Sequence, residues 1–228
     1  MPYQRSLLLK ILAASFLTAA VAFIHVAASG AQNNLSATVA ALQKRYAAVN
    51  TITARFQQNY RAPGIEQSES GVFWMKKPGL MRWEYQKPEL KLFVADGDET
   101  FLYVPADRQV VVRKFSISEL HSTPLQFLLG QGNLLASYAA SWEAESSPKI
   151  QGTLLLRLVP RSAEAEYSHL VVEVDATSFD IRRMVIHERT GNTSEFILTE
   201  VATNVKVADK QFNFKVPRGM EVVRLDEK

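Results

Sequence analysis

Val72-Phe73-Trp74-Met75-Lys76-Lys77-Pro78-Gly79-Leu80-Met81-Arg82-Trp83-Glu84-Tyr85 reads as two strands folded back on each other across a Pro-Gly turn. Its first arm is apolar at four consecutive positions, so both faces of that strand need cover. The same is true of Leu92-Phe93-Val94, Phe101-Leu102-Tyr103-Val104 and Val110-Val111-Val112. An antiparallel sheet commonly keeps one face wet, yet here two dry faces must be satisfied. Two solutions fit the pattern. One is a curved partial barrel whose greasy inner face is roofed by a few helices; the other is a closed barrel or sandwich core.

Outward from this hairpin the chain stays β-rich. Ile52, Ala54, Phe56 and Tyr60 alternate with Thr53, Arg55, Gln57 and Asn59, as in a half-buried strand. Pro63-Gly64, Asp96-Gly97, Pro105-Ala106-Asp107 and Gly191-Asn192 supply further turns. Beyond a polar connection at Pro160–Glu166, period-two segments at Leu154-Leu156-Leu158, Leu170-Val172-Val174, Phe196-Leu198 and Phe212-Phe214-Val216 complete about ten strands. No helical pattern alternates with them, which excludes a parallel βαβ sheet and points to one large antiparallel meander. One helix precedes the strands: Leu35, Val39, Leu42, Tyr46 and Val49 recur at steps of four and three, with Asn34 as cap. A second, short helix is expected between Thr123-Pro124 and Gly130, a cap, a first-turn proline and a terminating glycine. Leu125, Phe127, Leu128 and Leu129 make it apolar nearly all round, so it reads as a lid. Leu134, Leu135 and Tyr138 extend that apolar character.

Residues 1–31 have the order of a cleaved secretory signal peptide: Arg5 and Lys10, an apolar run from Ile11 to Ala28, then Ser29-Gly30-Ala31. The expected mature domain is 32–228. Its export without a single cysteine means that packing alone must hold it, and no lipid-accepting cysteine follows the cleavage point. The net charge of +3 for the whole chain drops to +1 once Arg5 and Lys10 are removed. No basic excess is left for nucleic acid.

No catalytic set emerges. His121, His169 and His187 stand at no metal-ligand spacing, and no GxSxG elbow or phosphate-binding glycine loop is present. Asp96-Gly97-Asp98 is a hairpin turn before it is a calcium loop. Glu143 and Glu145 read as a solvated pair. The expectation is a protein that is no enzyme and needs neither cofactor nor metal.

Gly71–Tyr85, Pro88, Val94-Ala-Asp-Gly97, Phe101-Leu-Tyr-Val-Pro105, the Thr123-Pro124 helix and Phe212-Asn-Phe-Lys-Val-Pro217 with Gly219, taken in order, resemble the periplasmic outer-membrane lipoprotein carrier family, LolA. The resemblance covers nearly the whole expected mature chain. It implies a single-domain, mainly β, incomplete antiparallel barrel with a short helical lid over an apolar cavity. It also implies a monomeric periplasmic carrier of triacylated lipoproteins. Such a carrier is loaded by an inner-membrane ABC transporter and unloaded to an outer-membrane acceptor. For the cavity the expected lining is Trp74, Leu80, Met81, Trp83, Phe93, Leu102, Leu125, Leu128 and Leu129, with Met81 the foremost choice because methionine adapts to irregular apolar ligands. The family often has an arginine before the proline of this hairpin, holding the empty lid shut; here the position is Lys77. Lys77, helped by Arg82, is therefore expected to latch onto backbone near Leu128 and Leu129, without arginine's planar fork.

Three other functions compete. An envelope lipid sensor on the same fold would call for a further long domain. A carrier of another lipid would differ only in its ligand. A secreted hydrolase would need the catalytic set that is missing.

Overall fold

The computed structural model describes residues 34–115 and 133–225. The expected signal peptide at 1–31, and the expected lid helix with Leu125, Leu128 and Leu129, lie outside the described residues.

Helix α1 (Leu35–Ala47) begins where Asn34 accepts hydrogen bonds from the backbone N–H groups of Ser36 and Ala37 through its side-chain oxygen. Its apolar stripe of Val39, Leu42 and Tyr46 is buried. The strands follow as β1 (Thr51–Ala62), β2 (Ile65–Lys76), β3 (Leu80–Lys87), β4 (Lys91–Ala95), β5 (Glu99–Val104) and β6 (Gln109–Lys114). After the one-turn helix α2 (Leu134–Ser137) come β7 (Tyr138–Trp142), β8 (Thr153–Pro160), β9 (Tyr167–Asp175), β10 (Ile181–Glu188), β11 (Thr193–Thr203) and β12 (Glu221–Arg224). All twelve described strands form one sheet in the order β12-β6-β5-β4-β3-β2-β1-β11-β10-β9-β8-β7, and it does not close, since β12 and β7 are its two ends.

Three features correct the sequence expectation. The sheet is mixed rather than wholly antiparallel, because β12 runs parallel to β6. Phe212-Phe214-Val216 is not a strand: Asp209–Phe212 is a turn of 3-10 helix followed by irregular chain. Tyr138, expected near the lid, instead opens β7, and its buried hydroxyl hydrogen-bonds that of Tyr167.

One core cluster joins α1 residues Val39, Leu42 and Tyr46 to Ala95 on β4 and, at the far side, to Leu158 on β8. Lys77, in the β2–β3 turn, and Ile181, on β10, both bond to Tyr46, and β7 packs against the same helix. From β3 to β7 is seven strand spacings, about 34 Å if flat at about 4.8 Å each, more than the roughly 20 Å length of α1 can reach, so the sheet curls around α1. The face toward α1 is the inner face.

The outer face of β4–β6 has its own apolar cover, supplied by the closing segment. Thr51 donates to the Val205 carbonyl at 2.7 Å, Lys76 pairs with Asp209, and Arg82 donates to the Gln211 carbonyl at 3.3 Å. Phe214 and Met220 then pack on Val94, Phe101, Val110 and Val112, with the Phe101 and Phe214 ring centres 5.3 Å apart. The outer of the two apolar faces of β4–β6 is thereby explained: an irregular tail covers it.

Candidate functional site

Strand register places a single row of side chains across the inner face. Ala54 pairs with Phe73, Phe73 with Trp83, Trp83 with Phe93, Phe93 with Leu102, Leu102 with Val111, and Val111 with Val223. Its first rungs are sealed. Trp83 packs against Phe73 at 4.2 Å between ring centres, edge-on against Phe56 at 4.9 Å, and toward Phe196 at 5.8 Å. Exposure then rises along the row, from 7 % at Trp83 to 39 % at Leu102, with Phe93 and Val111 half-buried. An exposed leucine continuous with a buried aromatic cluster is an apolar surface without cover among the described residues, unlike a singly scattered surface residue.

Polar groups border the row. Tyr85, two residues beyond Trp83, donates to Gln58 Oε1 at 3.0 Å. Lys91, two residues before Phe93, pairs with the buried Glu69 at 2.5 Å, and its ammonium lies 4.6 Å from the Tyr85 ring centre. Burial, with the Glu69 charge adding to it, pushes the Tyr85 phenol up to about 12.

Of the expected lining, the inner face brings together Met81, Trp83, Phe93 and Leu102. Met81 is only 1 % exposed and packs within the closed core. Trp74, Leu80 and Arg82 belong to the other face: Trp74 pairs with Arg82, Arg82 with Val94, and Lys76 with Leu80, one step out of phase with the apolar row. Arg82 is held there by Glu84 at 2.6 Å. Lys77 donates to the carbonyls of Tyr46 at 2.8 Å and Ala47 at 3.2 Å, at the C-terminal end of α1. Its expected partners near Leu128 and Leu129 lie outside the described residues. Val111, Tyr85 and Lys91 join the site although sequence reasoning passed them over. For Tyr85 and Lys91 the signal was period-two counting from Trp83 and Phe93; Val111 joins through the β5–β6 register opposite Leu102.

The outer face of β8–β11 is ionic. Arg183 bridges Glu195 at 2.5 Å and Glu173 at 3.2 Å, while Glu173 also accepts from Ile150 N and Thr153 Oγ1. His169 and His187 stack across β9 and β10 with ring centres 4.1 Å apart. Glu143, read as solvated, has a buried side chain that accepts from Arg157 at 3.3 Å. These groups are paired with one another and tie the 143–152 loop to the sheet. Among the described residues no three metal-ligating side chains cluster, and no helix is long and apolar enough to cross a membrane.

An unclosed, mainly β sheet curled on α1, with an apolar row emerging from its core, defines the class of fold. Residues 47–215 match the family model described as Outer membrane lipoprotein carrier protein LolA, and the chain belongs to this family. Two relatives share its length. An outer-membrane lipoprotein carrier protein of Hahella chejuensis (strain KCTC 2396) is 28% identical over 220 residues, 95% of this chain and 98% of the relative. That of Bordetella pertussis (strain Tohama I) is 29% identical over 214 residues, 93% and 95% of the two chains. Among solved structures, an uncharacterized conserved protein from Thermus thermophilus shares the fold, with a TM-score of 0.52, 14% identity, and coverage of 83% of this chain and 98% of that one. The family is one of periplasmic carriers, which transport rather than catalyse.

Proposed function

We propose that this chain, cut after Ala31 and working as residues 32–228 in the periplasm, shields the acyl chains of lipoproteins between the two membranes. It takes them from an inner-membrane ABC transporter and yields them to an outer-membrane acceptor. The observation that carries this reading is the apolar row running from sealed Trp83 to exposed Leu102. Each acyl chain of about 16 carbons is worth roughly 12 kcal/mol of burial at about 0.8 kcal/mol per methylene. Three such chains do not cross water unshielded. A protein face matches the membrane without exceeding it by much, so loading draws on an upstream energy source while unloading needs only a looser grip.

Gentle purification of the tagged protein from the periplasm, followed by intact mass spectrometry, tests this. Wild type is expected to bring along a triacylated lipoprotein, and Leu102→Glu to lose it while keeping the wild-type circular dichroism spectrum. Leu102 is preferred to Met81 as the target, because a glutamate at the buried Met81 would be an unpaired charge in the core and unfold the protein. A different lipid in the wild type would redirect the reading to another cargo, and a protein empty even when release to the acceptor is blocked would overturn it. N-terminal sequencing of the same sample checks the cut after Ala31.

A further inference from the structure

The apolar row is bordered by a polar group on its own face of the sheet. Gln58 pairs with Glu69 between β1 and β2, and Tyr85 pairs with Lys91 between β3 and β4. All four follow the inner-face alternation set by Phe56, Phe73, Trp83 and Phe93. Two residues along a strand is about 7 Å, so these groups begin one side chain away from the Trp83–Phe93 rung.

We propose that Gln58, Glu69, Tyr85 and Lys91 form a polar subsite that receives the ester and amide carbonyls at the head of an acylated cargo, while the apolar row takes its hydrocarbon. This rests on the carrier reading and adds what the site recognises. Three observations support it. First, the subsite offers donors. Lys91 Nζ uses one of its three protons on Glu69. Gln58 accepts through Oε1 from Tyr85, and its Nε2 has no partner among the described residues. Second, it is electrically neutral, because Glu69 cancels Lys91. Such a set suits uncharged carbonyls and gives a phosphate headgroup no net attraction. Third, it is shaped in advance. The Glu69 ion pair and the Tyr85 ring together fix the Lys91 ammonium, and Gln58 fixes the Tyr85 hydroxyl, so little side-chain freedom is lost on binding.

The test uses the mature protein and two probes. One is a synthetic triacylated cysteinyl peptide, which carries ester and amide carbonyls. The other is 1-N-phenylnaphthylamine, an uncharged apolar dye that carries none. Lys91→Met and Gln58→Leu are expected to weaken the lipopeptide about tenfold, the worth of one buried charged or amide hydrogen bond, and to leave dye affinity unchanged. Tyr85→Phe removes a single oxygen and serves where either variant folds poorly; it frees Gln58 Oε1 and is expected to show the same selective loss, smaller in size. Equal loss of both probes means that these residues only shape the face, and overturns the subsite. Unchanged lipopeptide binding in all three variants overturns it too, and leaves the carrier reading standing. Wild type that binds dye but no lipopeptide overturns the carrier reading itself, and the subsite with it.

Discussion

The ammonium of Lys77 donates to the backbone carbonyl of Tyr46 at 2.8 Å, while the hydroxyl of the same Tyr46 accepts from Ile181 N at 3.0 Å. One residue at the end of α1 thus ties the β2–β3 turn to β10, on opposite sides of the curled sheet. The two ties differ in kind. Lys77 is partly exposed and supplies a cation to the negative end of a helix; the Ile181 contact is buried.

Removing them is expected to give unequal costs. Lys77→Met should lower stability by about 1 kcal/mol, the net worth of a hydrogen bond in a partly wet place. Tyr46→Phe should cost about 2 kcal/mol, because it leaves a buried N–H without an acceptor. Thermal melts followed by circular dichroism check both, with Lys77→Arg expected to restore most of the loss.

Gly71 has no room for a side chain. A Cβ there would lie 1.8 Å from the Glu84 carbonyl oxygen and 3.0 Å from the Phe56 ring, at the point where the β2–β3 register shifts between Ser70 and Gly71. Gly71→Ala must push backbone apart at the wall of the apolar row. A loss of about 3 kcal/mol is expected, at the upper end for overpacking, measured as a shifted urea midpoint.

His169 is held neutral. Burial lowers its pKa first, with His187 and Arg157 adding to this, to about 4 against an ordinary 6.5. Because the folded value lies below the unfolded one, its contribution to stability is complete above about pH 6.5 and is lost as the pH falls toward 4. NMR titration should find the His169 imidazole changing near pH 4, and His169→Phe should flatten the stability curve between those two values.

A second acid window belongs to Glu195. Burial alone would raise its pKa, but hydrogen bonds from Lys149, Arg183 and Asn59 outweigh it and hold the carboxyl at about 2. Its contribution is complete above about pH 4.5 and fades as the pH drops toward 2. Glu195→Gln should lower stability at neutral pH and make it less dependent on pH in that range, as read from denaturant midpoints at stepped pH.

Much of this architecture was legible in the residues. Asn34 announces α1, Pro78-Gly79 announces the β2–β3 hairpin, and Asp96-Gly97 closes β4 on β5 with Asp96 Oδ1 accepting from Asp98 and Glu99. Choosing a face was harder. Trp74 and Trp83 are equally apolar, and composition cannot separate them when both faces are dry. Register can: the hairpin sets Trp74 opposite the charged Arg82 and Trp83 opposite Phe73. Phe212 and Phe214 misled for a related reason. Spacing of two is the mark of a strand, yet here it serves a tail that buries Phe212 in a turn of 3-10 helix and lays Phe214 on the outer side of the sheet without forming a strand. The core status of Met81 depended on where α1 lies, which no local pattern encodes.

Val110-Val111-Val112 would be the most adhesive edge in the molecule if β6 ended the sheet: three β-branched residues beside a row of bare N–H and C=O groups. Strand β12 occupies that edge, from Glu221 N on the Arg108 carbonyl at 2.8 Å to Leu225 N on the Val112 carbonyl at 3.1 Å. It replaces the valine run with a border that carries Glu221 and Arg224. A four-residue border strand with a charge at each end is one of the devices by which a sheet edge resists the addition of another strand, so β12 stands where a bare valine run would invite one.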